Sequence, residues 1–247
     1  MSPDLHTHLS ALRLTWMRDN LDDELTDAVT RERSHQALIE RLIQGEVAAK
    51  HSRSTERRIR AAKLPYRATL ADFDFHWPKA INDALVRSLF TLDFMRDHAN
   101  IVLIGNVGLG KTHLAVSLSM QACEARKNVR FVAAADLINE LEAARAGGYL
   151  GKTLRRYQKL DLLTIDELGY LPVDKRGAEH LFQVLSSRYE RGSTIITTNR
   201  AYKDWPSTFA NDSAMTAAVL DRVVHHCHTV LITGDSYRQN KAVAQVE

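Results

Sequence analysis

The stretch Ile101–Ala115, I-V-L-I-G-N-V-G-L-G-K-T-H-L-A, constrains what this chain can fold into more than any other. An apolar run turns through Gly105, Gly108 and Gly110, then passes through Lys111-Thr112 into an amphipathic segment. Gly105, Gly110, Lys111 and Thr112 fit the pattern G-x-x-x-x-G-K-S/T, which is a strand, a phosphate-cradling loop and a helix in that order. Glycines let backbone N–H groups curl around anionic oxygens, and the helix start adds the positive end of its dipole. Asn106, Val107, Gly108 and Leu109 complete such a loop. Lys111 is then placed to reach β- and γ-phosphates, and the Thr112 hydroxyl to ligate Mg²⁺. The stretch predicts a nucleotide site.

Beyond the loop the pattern alternates. Val129–Ala133, Leu160–Ile165, Ser193–Thr198 and Thr229–Thr233 read as strands. Between them lie helical patterns over Asp136–Ala146, Lys152–Lys159, Lys175–Arg191 and Ser213–His225. Asp136 suits an N-cap, and Gly192 suits a helix stop. A further helix is expected over Lys79–Met95, ahead of the loop strand. Strands alternating with helices predict an α/β fold, a P-loop NTPase with a parallel five-stranded sheet between helices.

Leu162–Glu167 is an apolar strand running into two acids. In a parallel α/β sheet the C-terminal end of a strand lies beside the phosphate loop, so Asp166 is placed to hold Mg²⁺ and Glu167 to polarise an attacking water. Many strands simply end in Asp; the loop upstream is what gives this pair meaning. The doubled acid favours hydrolysis over phosphoryl transfer to a small molecule. Asn199, at the end of the next strand, is either a turn residue or a group that orients the water. Arg222 and Arg238 are surface ion-pair formers by default, or arginines offered to a γ-phosphate. His225-His226-Cys227-His228 lacks the spacing of a zinc site.

The first sixty or so residues carry no alternating pattern. Leu5, Leu9, Leu12 and Trp16 recur at helical spacing, as do Leu38, Ile39, Leu42, Ile43 and Val47. A small all-helical N-terminal domain over 1–64 is expected, with an aromatic-rich linker over 65–78 and the ATPase domain over 79–247. The formal net charge is only +3, so the basic residues matter only where they cluster. They do so twice. Lys50, Arg53, Arg57 and Arg60 form one stripe on a helix, and Lys152, Arg155, Arg156 and Lys159 crowd a second segment. Each set is either a solvated face or a phosphate-contacting surface for nucleic acid. No run is long and apolar enough for a membrane span, no secretory signal opens the chain, and two cysteines are too few for a disulfide framework. A reducing cytoplasm is the expected setting.

The chain resembles the IstB-like family, AAA+ ATPases that help insertion-sequence transposases and are related to the helicase loader DnaC. The pieces that carry the resemblance are Ala68–Phe75, Gly105–Thr112, Asp166–Pro172, Arg188–Gly192 and Gly234–Arg238. It implies ATP with Mg²⁺, Gly105–Thr112 as Walker A, Asp166 and Glu167 as Walker B, and Asn199 as sensor 1. Arg222 looks like a finger acting on a neighbouring subunit, and Arg238 like sensor 2. Lys152, Arg155, Arg156 and Lys159 look like a DNA-touching helix. The resemblance further implies a ring or helical homo-oligomer on double-stranded DNA, without sequence preference, that presents the DNA to a cognate transposase. A replicative helicase loader is the alternative within the same clade. A small-molecule kinase, or a scaffold that binds ATP without turning it over, are alternatives outside it. The chain ends too soon after its last strand for a full helical lid, so the lid is expected to be truncated or absent.

Overall fold

In the computed structural model, which describes residues 3–171 and 173–237, the chain divides into two compact units between Arg57 and Arg58. The first unit is helical: α1 (Pro3–Ala11), α2 (Thr15–Thr30) and most of α3 (His35–Ala62). No side chain of its own caps the start of α2. Glu46 of α3 does so instead, its Oε2 accepting from Trp16 N at 2.8 Å and Met17 N at 3.0 Å. A carboxylate there satisfies two orphan N–H groups and faces the positive end of the helix dipole. Glu46 is buried, and Arg53 balances it at 3.0 Å. Arg53, expected on a DNA-facing stripe, is therefore also part of this unit's packing. Lys50, Arg57 and Arg60 are exposed on α3.

The second unit is built on β1 (Asn100–Gly105), β2 (Val129–Ala133), β3 (Leu162–Leu168), β4 (Ser193–Thr198) and β5 (Cys227–Ile232). All pair in parallel, in the order β2-β3-β4-β1-β5. A sheet covered on both faces needs apolar residues on both, which is why these strands read as continuous apolar runs. Ile101 and Leu103 of β1 face one layer with α5 (Lys111–Glu124), α4 (Asp83–Leu89) and Ile59 and Ala62 at the end of α3. Val102 and Ile104 face the other, with α6 (Ala134–Ala146), α7 (Leu150–Gln158), α8 (Lys175–Arg188) and α9 (Ser213–Val224). The α/β, five-stranded parallel expectation holds.

Several boundaries differ from expectation for local reasons. The helix expected over Lys79–Met95 is only Asp83–Leu89. Ala80 instead bridges antiparallel to Thr233, Asn82 Oδ1 caps the helix by accepting from Leu85 N, and Leu92 at φ 63° ends the segment in the left-handed region. α6 begins at Ala134, so Asp136 lies within its first turn and is not the N-cap. β3 runs to Leu168, with a register shift between Ile165 and Leu168. Leu64–Pro78 is no loose connection: Ala68 is buried, and Phe73 and Phe75 pack on the core with ring centroids 4.9 Å apart.

Arg188 is the least expected core residue. It is 1% exposed, and burial pushes its guanidinium down to about 10. It donates to the carbonyls of Tyr157 (2.5 Å), Leu160 (3.0 Å) and Ser193 (2.6 Å) and to Thr194 Oγ1 (3.3 Å). One side chain thus ties the end of α7 and the start of β4 to α8. A β-carbon at Gly192 would lie 2.7 Å from the Leu160 carbonyl and 3.0 Å from Arg188 Nη2, so that glycine makes room for the arginine.

Candidate functional site

At the C-terminal ends of β1, β3 and β4 lies a cavity of about 290 Å³, lined by Gly108–His113, Glu167, Thr197, Thr198 and Asn199. The loop between β1 and α5 can take its shape because Gly108 (φ 81°) and Gly110 (φ 85°) occupy left-handed conformations, where a side chain costs roughly 1–2 kcal/mol. Leu114 N donates to Gly110 O at 3.0 Å, closing the first turn of α5. The amides before it, at the positive end of a fourteen-residue helix, point toward the loop. Lys111 Nζ crosses the loop to the Asn106 carbonyl at 2.7 Å.

Asp166 and Glu167 divide the work of one strand end. Asp166 is 7% exposed and takes two hydroxyls: Thr112 Oγ1 at 3.0 Å to Oδ1, and Thr197 Oγ1 at 2.5 Å. Glu167 is exposed into the cavity, in the left-handed region at φ 60°. A non-glycine residue held there carries about 1–3 kcal/mol of strain, which the surroundings must impose. The constraint is visible. Glu167 N donates to Thr197 Oγ1 at 2.9 Å, just where β3 slips register against β4. Thr197 therefore holds both acids at once. Sequence reasoning missed it, because S-T-I-I-T-T reads only as a strand.

Asn199 is exposed and lines the same cavity, one residue past the strand that pairs with β1. Much of the remaining lining is aromatic: Tyr66, Phe73, Trp77, Tyr170 and Tyr237. Trp77 Nε1 donates to the Asp235 carbonyl at 3.0 Å, and its ring meets Tyr237 edge-on at 5.1 Å. The aromatic-rich composition of 65–78 gave no hint that Phe73 and Trp77 would line a pocket.

Arg222 is not brought into this cavity. It lies near the end of α9, whose carbonyls at Arg222 and Val223 receive Asn100 Nδ2 at the first residue of β1. The phosphate loop leaves the other end of β1, roughly 17 Å away along the strand. Its guanidinium sits 5.0 Å over the Phe182 ring and donates to Ala218 O at 2.8 Å. Arg238 lies outside the described residues. Of the four consecutive residues from His225, the His225 and His226 ligand atoms come within 4.8 Å of Glu190, all three exposed, and Tyr189 Oη bonds His225 Nδ1 at 3.0 Å. On α7, Lys152, Arg155 and Lys159 are exposed, whereas Arg156 pairs with Glu140 and stacks on Tyr157 at 5.1 Å. None of the described helices is long and apolar enough to cross a membrane.

The model of the IstB-like ATP binding protein family matches residues 7–244. The chain belongs to the IstB-like family. It is 36% identical over 247 residues to a Geobacillus stearothermophilus protein named for insertion sequence IS5376 and for ATP binding, covering 100% of this chain and 98% of that one. A Pseudomonas aeruginosa protein named likewise for insertion sequence IS21 is 34% identical over 235 residues, with 95% and 88% covered. Among solved structures, the DnaC helicase loader aligns with a TM-score of 0.56 at 22% identity, covering 67% of this chain and 97% of that one. The replication initiator DnaA bound to AMPPCP and single-stranded DNA aligns with a TM-score of 0.58 at 19% identity, covering 70% and 52%. At such identities the likeness is one of fold. This IstB-like chain shares their fold, with its glycine-rich loop following β1 in the sheet order β2-β3-β4-β1-β5.

Proposed function

We propose that this IstB-like protein is a DNA-dependent ATPase that assembles on target DNA and presents it to a partner transposase. The observation that carries the reading is the convergence of Thr112, Asp166, Thr197 and Glu167 on one side of the Gly108–Gly110 loop. Insertion-sequence relatives matching nearly the whole chain support the transposition setting over a helicase loader, to which only the fold is similar.

The loop amides and Lys111 receive the phosphates of ATP, and the aromatic wall takes the base. Thr112 Oγ1 and Asp166, already 3.0 Å apart, are a hydroxyl and a carboxylate of the kind that hold Mg²⁺. When bound, that ion would neutralise charge on the phosphate oxygens. Glu167 takes the proton from water as its oxygen bonds to the γ-phosphorus and the bond to ADP breaks. Asn199 orients that water. Holding Glu167 by its backbone rather than its carboxylate leaves the carboxylate exposed to the cavity, which a base needs.

Arg222 belongs to a neighbour's site. At the opposite end of the strands from its own loop, it can complete an ATP site only across a subunit boundary, so turnover requires a homo-oligomer. Arg238 fits the sensor-2 position by its place in Gly234–Arg238. Lys50, Arg57, Arg60, Lys152, Arg155 and Lys159 are the exposed cations from which sequence-independent contacts to duplex phosphates would come, with Arg53 and Arg156 partly engaged in ion pairs.

Lys111→Ala tests the reading. It should abolish ATP binding, read by a fluorescent analogue, together with ATP-driven assembly, read by light scattering. Normal ATP affinity and normal oligomers from that variant would sink it.

A further inference from the structure

A second concavity, of about 410 Å³, opens at the other end of the sheet. It lies where α3 ends, β2 begins and α7 ends, and five cations line it: Arg58, Lys63, Arg130, Arg156 and Lys159. No acid lines it. Arg58 and Lys63 belong to one basic stretch of the sequence, over 50–67, and Arg156 and Lys159 to another; Arg130 belongs to neither. Lys63 and Arg130 come from separate segments that the fold brings together.

The plain alternative is that these cations serve the fold. Lys63 and Lys159 each follow the last residue of a helix, where a cation offsets the dipole. Magnitudes decide against that as the whole account. Two helix ends carry about half a negative charge each. The nearby carboxylates are spoken for: Glu140 by Arg156 and Tyr157, and Asp161 by Asn128 N at 2.6 Å. With Arg58 left out of the count, the other four cations against two carboxylates and two helix ends leave a surplus of roughly one charge. That surplus faces an open concavity, with Lys63 and Lys159 exposed and Arg130 half-exposed on an edge strand.

We propose that this groove is a seat for the phosphate backbone of duplex DNA, with Lys63, Arg130 and Lys159 as its contacts. The inference rests on the DNA-binding reading above and assigns a path to it. The ligand is a run of phosphates rather than base edges, because five cations dominate the lining, Asn128 is its one side-chain amide, and it presents no helix that could enter a groove. The seat also adjoins the ATP cavity along the chain. Only Leu64 and Pro65 separate Lys63 from Tyr66, which lines that cavity.

The test is a salt series of duplex binding by fluorescence anisotropy, with the full chain and a non-hydrolysable ATP analogue. Lys63→Ala, Arg130→Ala and Lys159→Ala should each weaken binding to unrelated duplexes alike, and each should lower the slope of log affinity against log salt by about 1. The triple variant should lose about 3, with nucleotide affinity unchanged. Lys159→Arg should bind as wild type does. If Arg130→Ala melts early, the two surface lysines carry the test alone. Folded variants that keep wild-type affinity and slope while wild type binds DNA would overturn the groove only. So would a lowered melting midpoint with an unaltered slope, which is the mark of helix-end cations. A wild-type protein that binds no duplex would overturn the DNA reading itself.

Discussion

The two ends of the sheet handle charge in opposite ways. At the C-terminal end of the strands, acids face inward: Asp166 is buried under two hydroxyls and Glu167 is turned into the cavity by a strained backbone. Cationic character there comes from Lys111, from backbone amides and from Arg200, whose Nε donates to the Gly169 carbonyl at 2.7 Å. At the N-terminal end the arginines are structural or outward-facing. Arg188 is buried among carbonyls, Arg222 lies on its own helix and Phe182, and a basic groove opens beside β2. A parallel sheet offers this division, because loops leaving its C-terminal edge converge on ligands while the other edge is free to meet a neighbour or a polyanion. In the proposed reading, one end serves nucleotide chemistry and the other what the nucleotide controls.

The largest expected effect would break this division or confirm it. Arg222→Ala should keep ATP binding yet lose roughly 10³–10⁵-fold in turnover, the worth of an arginine finger. Mixing it with Glu167→Gln subunits should restore some turnover, since one intact site can form between the two kinds. No recovery on mixing, with assembly intact, would place Arg222 outside the chemistry.

Next is the acid end itself. Glu167→Gln should lower turnover by about 10²–10⁴, the usual worth of a general base, with ATP binding retained. Thr197→Val should act through the same residue. It removes the acceptor of the Glu167 amide and the donor to Asp166 together, so turnover should fall while ATP affinity changes less. Unchanged turnover in Thr197→Val would mean that the bend at Glu167 holds itself.

The opposite end should answer in stability. Arg188→Ala strips partners from three carbonyls and a hydroxyl and opens a cavity. A loss of about 3 kcal/mol or more in denaturant unfolding is expected. Its loss of activity should track its loss of fold. An Arg188→Ala protein of normal stability but dead ATPase would make it a site residue instead.

The smallest effect is acid-dependent. The Asp72 carboxylate accepts from Thr69 N (2.7 Å) and Thr69 Oγ1 (2.8 Å), and these bonds hold it below the ordinary value of 3.8. A carboxylate whose folded value is lowered adds stability above its unfolded value and loses it as pH falls through the folded one. Protection against hydrogen exchange at Leu70–Phe73, relative to the unstructured rate at each pH, should therefore fall as Asp72 protonates, and Asp72→Asn should abolish that fall.

Much of this was legible in the sequence. The glycine-rich loop, the apolar run into Asp166-Glu167 and the strand–helix alternation all have short local signatures, and the fold and cavity follow from them. What stayed hidden depends on the third dimension. Thr197 looks like any strand threonine until β3 and β4 pair. Arg188 reads as a surface arginine near a helix end, because nothing local announces carbonyls arriving from α7 and β4. Lys63 and Arg130 lie 67 positions apart and meet only when β2 takes the edge of the sheet. The helix expected over Lys79–Met95 failed because Asn82 caps late and Ala80 is claimed by Thr233, a contact across the whole domain.

The central claim is that nucleotide held at one end of the sheet governs the grip on DNA at the other. Its most direct test is duplex affinity with and without a non-hydrolysable ATP analogue, for wild type and Lys111→Ala side by side. The account predicts that the analogue tightens binding at least tenfold for wild type, about 1.4 kcal/mol of coupling, and not at all for Lys111→Ala. Equal affinity with and without the analogue in wild type would contradict it.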